Sequence, residues 1–464
     1  MKALKKVAAM AVAGVCVVSM AACGGTGSSS EATSLTYPGI ELGKTGKDLT
    51  ASIKLFSNRT DMTQASYSGK SWKEYIADFN KLYPDIKVSI ETSTNYDSDA
   101  LTRIQSKDWG DIMLIPAVDS TELGNYFIPY GSYKEMNKVI NFAAVQQYDN
   151  QVYGVSGGGD AGGVVYNKAI FKEAGITELP ITPSEFIADL KLIKKNTSAT
   201  PLYTNYAAGW TMGAWDAYIG GNATGNADYM TSILPHTKDP FSNPKDGTHP
   251  YNVYKILYDA VADHLTEDDY STTDWEGSKT QMNQGKIATM VLGSWAVQQI
   301  QAAGDKSDDI GYMPFPISVK GKQYAAPGGG YAYGINKNSS SSNQEAAMIF
   351  VKWLTEKSKF AYNEGGLPVA KADTTLPALF DKFKNVTFLE GKPVSKDESD
   401  LFNDLNTDSE LAINSGGNAR VQAIVEDAAT KSKTFDSIMN EWNDKWNAAL
   451  QTENVDIKYT TVAK

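Results

Sequence analysis

Between Ala51 and Ile115 the hydrophobic pattern switches repeatedly between two periods, and this alternation limits the fold more than any other feature of the chain. "ASIKLFS" alternates apolar and polar residues, as a half-buried strand does. "SWKEYIADFNKLYP" then sets Trp72, Tyr75, Ile76, Phe79 and Leu82 at helical spacing until Pro84 stops it. "IKVSIE" reads as a second strand and "DALTRIQ" as a second helix, while "DIMLI" is the unbroken apolar run of a buried parallel strand. The product is a βαβαβ unit. Such a sheet binds ligands beyond the carboxyl ends of its strands, here "SNRTD" after the first and "PAVD" after the third. Asn58 and Arg59 are therefore candidate hydrogen-bonding residues.

Further along, "VVYN" is strand-like and "KAIFKEAG" is a short helix closed by Gly175. In "TPSEFIADLKLIKK", Thr182 and Glu185 form a capping box with Pro183 at the first helical position. A second box is expected from Ser342 and Glu345 in "SNQEAAMIFVKWLTEK". "HTKDPFSNPKDGTHPYN" reads as a long surface loop. The last helix, "TFDSIMNEWNDKWNAALQ", lines Phe435, Ile438, Met439, Trp442, Trp446 and Leu450 along one face. No internal repeat is visible.

At the N-terminus, Lys2, Lys5 and Lys6 precede an apolar stretch from Val7 to Val18, so residues 1–22 read as a secretion signal. The stretch is too short to span a bilayer. Cys23 follows "MAA", and this resembles a bacterial lipoprotein box, with Met20 standing where the box usually has Leu. The resemblance implies that Cys23 is acylated and that residues 23–49, opening with "GGTGSSSEATS", form a flexible tether. Two acyl chains, at about 0.8 kcal/mol per buried methylene, hold a protein durably on a membrane. The other cysteine, Cys16, lies inside the signal, which leaves no disulfide framework.

The formal charge is −11, and loss of the leader removes only lysines. That argues against nucleic acid and polyanionic ligands and favours a neutral or cationic one. Many of the 9 Trp and 25 Tyr lie beside Gly and Asn rather than inside apolar runs, as on surfaces that grip a ligand. His236, His249 and His264 are scattered, so neither a transition-metal site nor a cofactor is expected. "PGIELGKTG" has proline at its first glycine position and no preceding strand, which excludes a phosphate loop.

Several segments, in order, resemble the extracellular solute-binding proteins of carbohydrate ABC transporters, the group containing maltose-binding protein. They are "YGVSGGGDAGGVVYNKAIFKEAGI", "NQGKIATMVLGSWAVQQI", "IGYMPFPI", "APGGGYAYGINKNS" and "EAAMIFVKWLTEKSKFAYNEGGLPVAK". The resemblance implies an α/β, two-lobed periplasmic-binding-protein-like fold of type II with the ligand cleft between the lobes. Lobe one would hold residues 50–157 and 332–364, and lobe two residues 158–331 and 365–464. It further implies a monomer on the outer face of a bacterial cytoplasmic membrane that closes on a sugar and passes it to a permease, without catalysis.

Carried over residue by residue, the resemblance puts Asp160 where an acidic residue accepts hydrogen bonds from sugar hydroxyls. Trp295, in "GSWAV", falls where a tryptophan stacks on the sugar. "NYAAGWTMGAWDAYIGG" supplies Tyr206, Trp210 and Asp216 to an aromatic platform. Trp210 and Trp215 would lie about 140° apart on a helix, so one of them is expected in the core, with Trp210 favoured as the ligand residue and which of the two faces the cleft left open. Tyr331 is expected to share cleft-facing parity with Tyr333, and Glu364 stands at the third crossing. The rival readings are an exported glycoside hydrolase, which needs two carboxylates opposed at roughly 5–10 Å, and a surface carbohydrate-binding protein, which needs no second lobe.

Overall fold

The structure, a computed structural model, describes residues 33–461 except 66, 68, 108 and 415–417. The leader and Cys23 lie outside the described residues.

The opening unit folds as its pattern predicts. Strand β1 (Ala51–Ser57), helix α1 (Trp72–Asn80), strand β2 (Ile86–Thr92), helix α2 (Tyr96–Ser106) and strand β3 (Ile112–Leu114) follow in order. β1 lies between the other two parallel strands, pairing with β2 from Ala51↔Ile86 to Ser57↔Thr92 and with β3 at Leu55↔Ile112. Strands Ala332–Ile335 and Val155–Ser156 complete this sheet in antiparallel sense. α1 starts at Ser71, whose hydroxyl accepts from Glu74 N while the Glu74 carboxylate accepts from Ser71 N. Trp72, Tyr75 and Phe79 are buried, but the helix ends at Asn80, and Leu82, expected on the same face, remains 41% exposed. The long helix Ser341–Glu356 covers the sheet, its Phe350 and Trp353 packing on Phe79 at 5.1 and 5.4 Å. Its cap is Ser340, which accepts from Asn343 N, not the expected Ser342. Within the serine run, the extended backbone falls at Ser340 and the helix has already begun at Ser341.

The second lobe is built on the sheet Thr200–Leu202, Ile287–Gly293, Gly162–Asn167 and Ile310–Pro314, in that spatial order. Ile287–Gly293 runs parallel to the first and antiparallel to the third. The capping box at Thr182 and Glu185 forms as expected, with Pro183 opening helix Pro183–Asn196. The whole apolar face of Phe435–Thr452 is buried. The expected surface loop 236–252 is instead pinned to that helix. Phe241 is buried against Trp442 at 5.4 Å, its N–H donates to Asn443 Oδ1 at 2.9 Å, and Thr237–Lys238 pairs with Tyr459–Thr460. Asparagines on the terminal helix satisfy the loop's backbone, which composition alone does not reveal.

The chain crosses between lobes three times. The first two crossings pair with each other, Gly328↔Asp160 and Gly329↔Gly159, and the third joins through Leu367 N–H to Gly159 O at 2.6 Å. A Cβ at Gly159 would sit 2.2 Å from the Phe142 ring, so the crossing requires glycine. Lobe one continues past the expected limit at 364. Val369 enters its core and residues 369–371 pair with 139–141.

The expected tether is also shorter than 23–49. Tyr37 is fully buried in lobe one, donating its backbone N–H to Tyr130 O at 2.8 Å and hydrogen bonding Thr355 Oγ1 through its hydroxyl at 2.9 Å. Ile40 is buried beside it. Aromatic and aliphatic burial thus overrides the Gly-rich composition around it.

Candidate ligand-binding site between the lobes

β1 ends at Ser57, so Asn58 and Arg59 emerge at the carboxyl end of the central parallel strand, where open α/β sheets bind ligands. Arg59 Nη2 lies 2.7 Å from Glu364 Oε2 and 2.8 Å from Asp61 Oδ2, and donates to the Tyr67 hydroxyl at 3.0 Å. Tyr67 in turn donates to Glu364 Oε2 at 2.8 Å. Burial opposes the Arg59 charge, but the hydrogen bond to Asp61 and the field of Glu364 more than offset it and raise its pKa. One carboxylate oxygen, Glu364 Oε2, is thus doubly committed. The other, Glu364 Oε1, is buried with no hydrogen-bond partner. A buried acceptor of this kind calls for a donor. Among the described residues the Asn58 side chain is likewise without a protein hydrogen bond.

The facing wall belongs to lobe two. Trp210, Trp275 and Trp295 form a closed trio with ring centroids 5.6 Å (210–275), 5.7 Å (210–295) and 5.8 Å (275–295) apart. Trp295 opens helix Trp295–Gln301 directly after the central strand of the second sheet. Trp275 opens helix Trp275–Asn283, capped by Asp274, and carries Lys279 Nζ 4.7 Å from its ring centre. Trp210 is 40% exposed, while Trp215 is buried against Tyr218 and Phe315, the division expected of the pair. Gln298 Nε2 donates to Asn363 O at 2.8 Å, tying the Trp295 helix to the third crossing beside Glu364. The two walls therefore meet.

Asp160 lies on the first crossing between them. Its carboxylate has no protein hydrogen bond among the described residues, and burial pushes its pKa up to about 6. Ser294 N–H donates to Ala161 O at 3.1 Å, which sets Asp160 next to the Trp295 helix. Tyr331 is 42% exposed, just before its strand begins, and donates to Asp97 Oδ1 at 2.7 Å with its edge toward Tyr96. The expected parity fails because Tyr333 is buried in lobe one.

Two other expected residues have different surroundings. Asp216 is buried in lobe two, where Oδ2 meets Arg420 Nη2 at 2.6 Å and accepts from Asn414 N, and Oδ1 accepts from the Tyr254 hydroxyl at 2.7 Å. Every lone pair that a sugar would need is taken, so Asp216 belongs to the lobe's framework. Tyr206 donates to Glu426 and packs its ring on Tyr270 at 4.6 Å rather than on the tryptophans.

The residue patterns missed Trp275 and Tyr67. Trp275 had a usable signal, an Asp-capped helix start resembling the Ser–Trp start at 294–295. Tyr67 lies in an aperiodic polar stretch and had none.

Two α/β lobes, three crossings and a cleft that sets an aromatic trio against a hydrogen-bonding cluster define a two-lobed solute-binding protein. The chain belongs to the bacterial extracellular solute-binding protein family, which it matches over residues 65–359. It is 26% identical over 384 residues to the multiple sugar-binding protein of Streptococcus mutans, covering 80% of this chain and 83% of that one. It is also 26% identical to a maltooligosaccharide ABC transporter solute-binding lipoprotein of Streptococcus pneumoniae, covering 69% and 77%. Its structure superposes with a TM-score of 0.85 on a manno-oligosaccharide-specific solute-binding protein, BlMnBP2, from Bifidobacterium animalis subsp. lactis in complex with mannotriose. That pair is 56% identical over 90% of this chain and 99% of the other.

Proposed function

We propose that this protein captures a neutral manno-oligosaccharide in the interlobe cleft, closes on it by a hinge motion, and delivers it unchanged to the permease of an ABC importer. The observation that carries the reading is the cleft itself. Sugars present C–H faces to aromatic rings and hydroxyls to fixed acceptors, and here three tryptophans stand against Glu364 Oε1 and the Asp160 carboxylate, neither of which has a hydrogen-bond partner among the described residues. The 56% identity to a protein crystallised with mannotriose supports mannose as the unit. The ligand-contacting set is Asn58, Arg59, Asp160, Trp210, Trp275, Trp295 and Glu364, with Tyr331 at its rim.

Acylation at Cys23 would hold the monomer on the outer face of the cytoplasmic membrane, and mass spectrometry of the membrane-extracted protein tests it. The test of ligand class is titration calorimetry with mannobiose and mannotriose against maltotriose and raffinose, followed by chromatography of the recovered sugar. Tighter binding of the mannosides, with the sugar recovered intact, is the expected result. Preference for maltotriose would overturn the mannose assignment, and release of shorter sugars would overturn the transport role. A ligand at 100 times its dissociation constant adds about 2.7 kcal/mol of stability, so thermal shift provides an independent readout.

A further inference from the structure

Lobe two carries a hollow of about 350 Å³ that shares no lining residue with the cleft site. It lies among the turn Tyr229–Ile233, the paired strands Thr237–Lys238 and Tyr459–Thr460, and the start of helix His249–Ala262. Tyr229 is 3% exposed, yet its hydroxyl has no hydrogen-bond partner. Buried hydroxyls are ordinarily satisfied, so this one leaves a donor unused.

Beside it, at a ring separation of 6.2 Å, stands His249. Its tautomer follows from its neighbours. The Thr248 hydroxyl is 2.5 Å from Asp246 Oδ1 and 2.6 Å from His249 Nδ1. The carboxylate can only accept, so Thr248 donates to it and must accept from Nδ1–H. Burial lowers the His249 pKa and so favours the neutral ring, against the weaker opposing pull of Asp246. Nε2 is then a bare acceptor, with no protein partner among the described residues.

Asp246 is the one carboxylate in the lining, and it is already engaged by Thr248 N–H and Oγ1. The hollow thus offers an unused donor, an unused acceptor, threonine hydroxyls, the half-exposed Tyr459 ring and, in Asp246, one exposed carboxylate with no ion-pair partner among the described residues. That set suits a neutral polyhydroxylated ligand, whose hydroxyls a carboxylate can accept from, and disfavours an anionic one. Past Asp246 the surface continues into a larger hollow of about 610 Å³ between helices Pro183–Asn196 and His249–Ala262, which leaves room for more than one sugar unit.

We propose that this hollow is a second, weaker carbohydrate site, in which one sugar unit pairs with the Tyr229 hydroxyl and His249 Nε2. The chain has only three histidines, His236, His249 and His264, so the full chain labelled with 13C at histidine Cε1 gives a readable spectrum. The probe is mannotriose, raised well beyond saturation of the tryptophan fluorescence that reports on the cleft. The expected result is a saturable shift of the His249 resonance with a dissociation constant of roughly 1 mM, weakened about tenfold in Tyr229→Phe. A His249 resonance that stays fixed up to the solubility limit of the sugar overturns the proposal, as does an equal shift in Tyr229→Phe. A His249 shift without any tryptophan response supports this site and counts against the cleft reading instead.

Discussion

Arg59 and Glu364, brought together from the end of the first strand and the third crossing, lie 2.7 Å apart, and the pairing uses one carboxylate oxygen while leaving the other free. Glu364 thus braces the third crossing through one oxygen and keeps the other for the proposed ligand. Truncating one member of a desolvated pair costs about 2 kcal/mol or more, so Glu364→Ala should raise the dissociation constant for mannotriose roughly thirtyfold. Calorimetry measures it. A value within twofold of wild type would restrict the pair to bracing the crossing.

The Asp160 carboxyl, raised by burial from 3.8 to about 6, makes binding depend on pH. A sugar hydroxyl needs the ionised form as acceptor, so below pH 6 binding must first expel a proton. Affinity should fall by up to about tenfold per pH unit in that range and level off above it. The unliganded fold responds in the opposite direction. It binds this proton more tightly than the unfolded chain, so the Asp160 contribution to stability declines as pH rises from 3.8 to 6. Asp160→Asn should bind more weakly at neutral pH and lose this part of the pH profile.

The tryptophans separate binding from folding. Trp295→Ala or Trp275→Ala should each cost about 0.5–1.5 kcal/mol of affinity beyond the contact area lost, read by titration. Trp215→Ala should instead cost about 3–5 kcal/mol of stability, read by urea denaturation, with affinity unchanged in the folded fraction.

Asp216 makes the same distinction for charge. Asp216→Ala leaves Arg420 buried and unpaired, and loss of about 3–5 kcal/mol of stability is expected. If that variant kept full stability and lost ligand, Asp216 would return to the cleft.

The N-terminal segment offers a direct test of where the folded part begins. A chain starting at Thr50 lacks Tyr37 and Ile40, which fill lobe one, and should melt well below a chain starting at Thr33. Equal melting temperatures would restore the longer tether.

The sequence was most legible where one local rule sufficed. The three parallel strands, the Thr182–Glu185 box and the buried stripe of the terminal helix each depend on periodicity or a cap within a few residues. Reading failed where the deciding partner is remote. Phe241 is held by Asn443 and Trp442, Tyr37 by Tyr130 and Thr355, and Asp216 by Arg420 and Tyr254. No local pattern at those positions announces a partner so far along the chain.

The sequence by itself determined the strand and helix order, the lack of disulfides in the folded part, and a family resemblance that put Asp160 and Glu364 at crossings and Trp295 at a stacking position after a strand. Only the tertiary structure decided which polar groups were already satisfied. It committed both oxygens of Asp216 to the framework, left Glu364 Oε1 open, and set Trp275 against Trp295 and Tyr67 against Glu364. The reason is physical. Periodicity fixes which face of an element is buried, whereas a buried carboxylate becomes framework or ligand site according to the donors that the rest of the chain brings within about 3 Å of it.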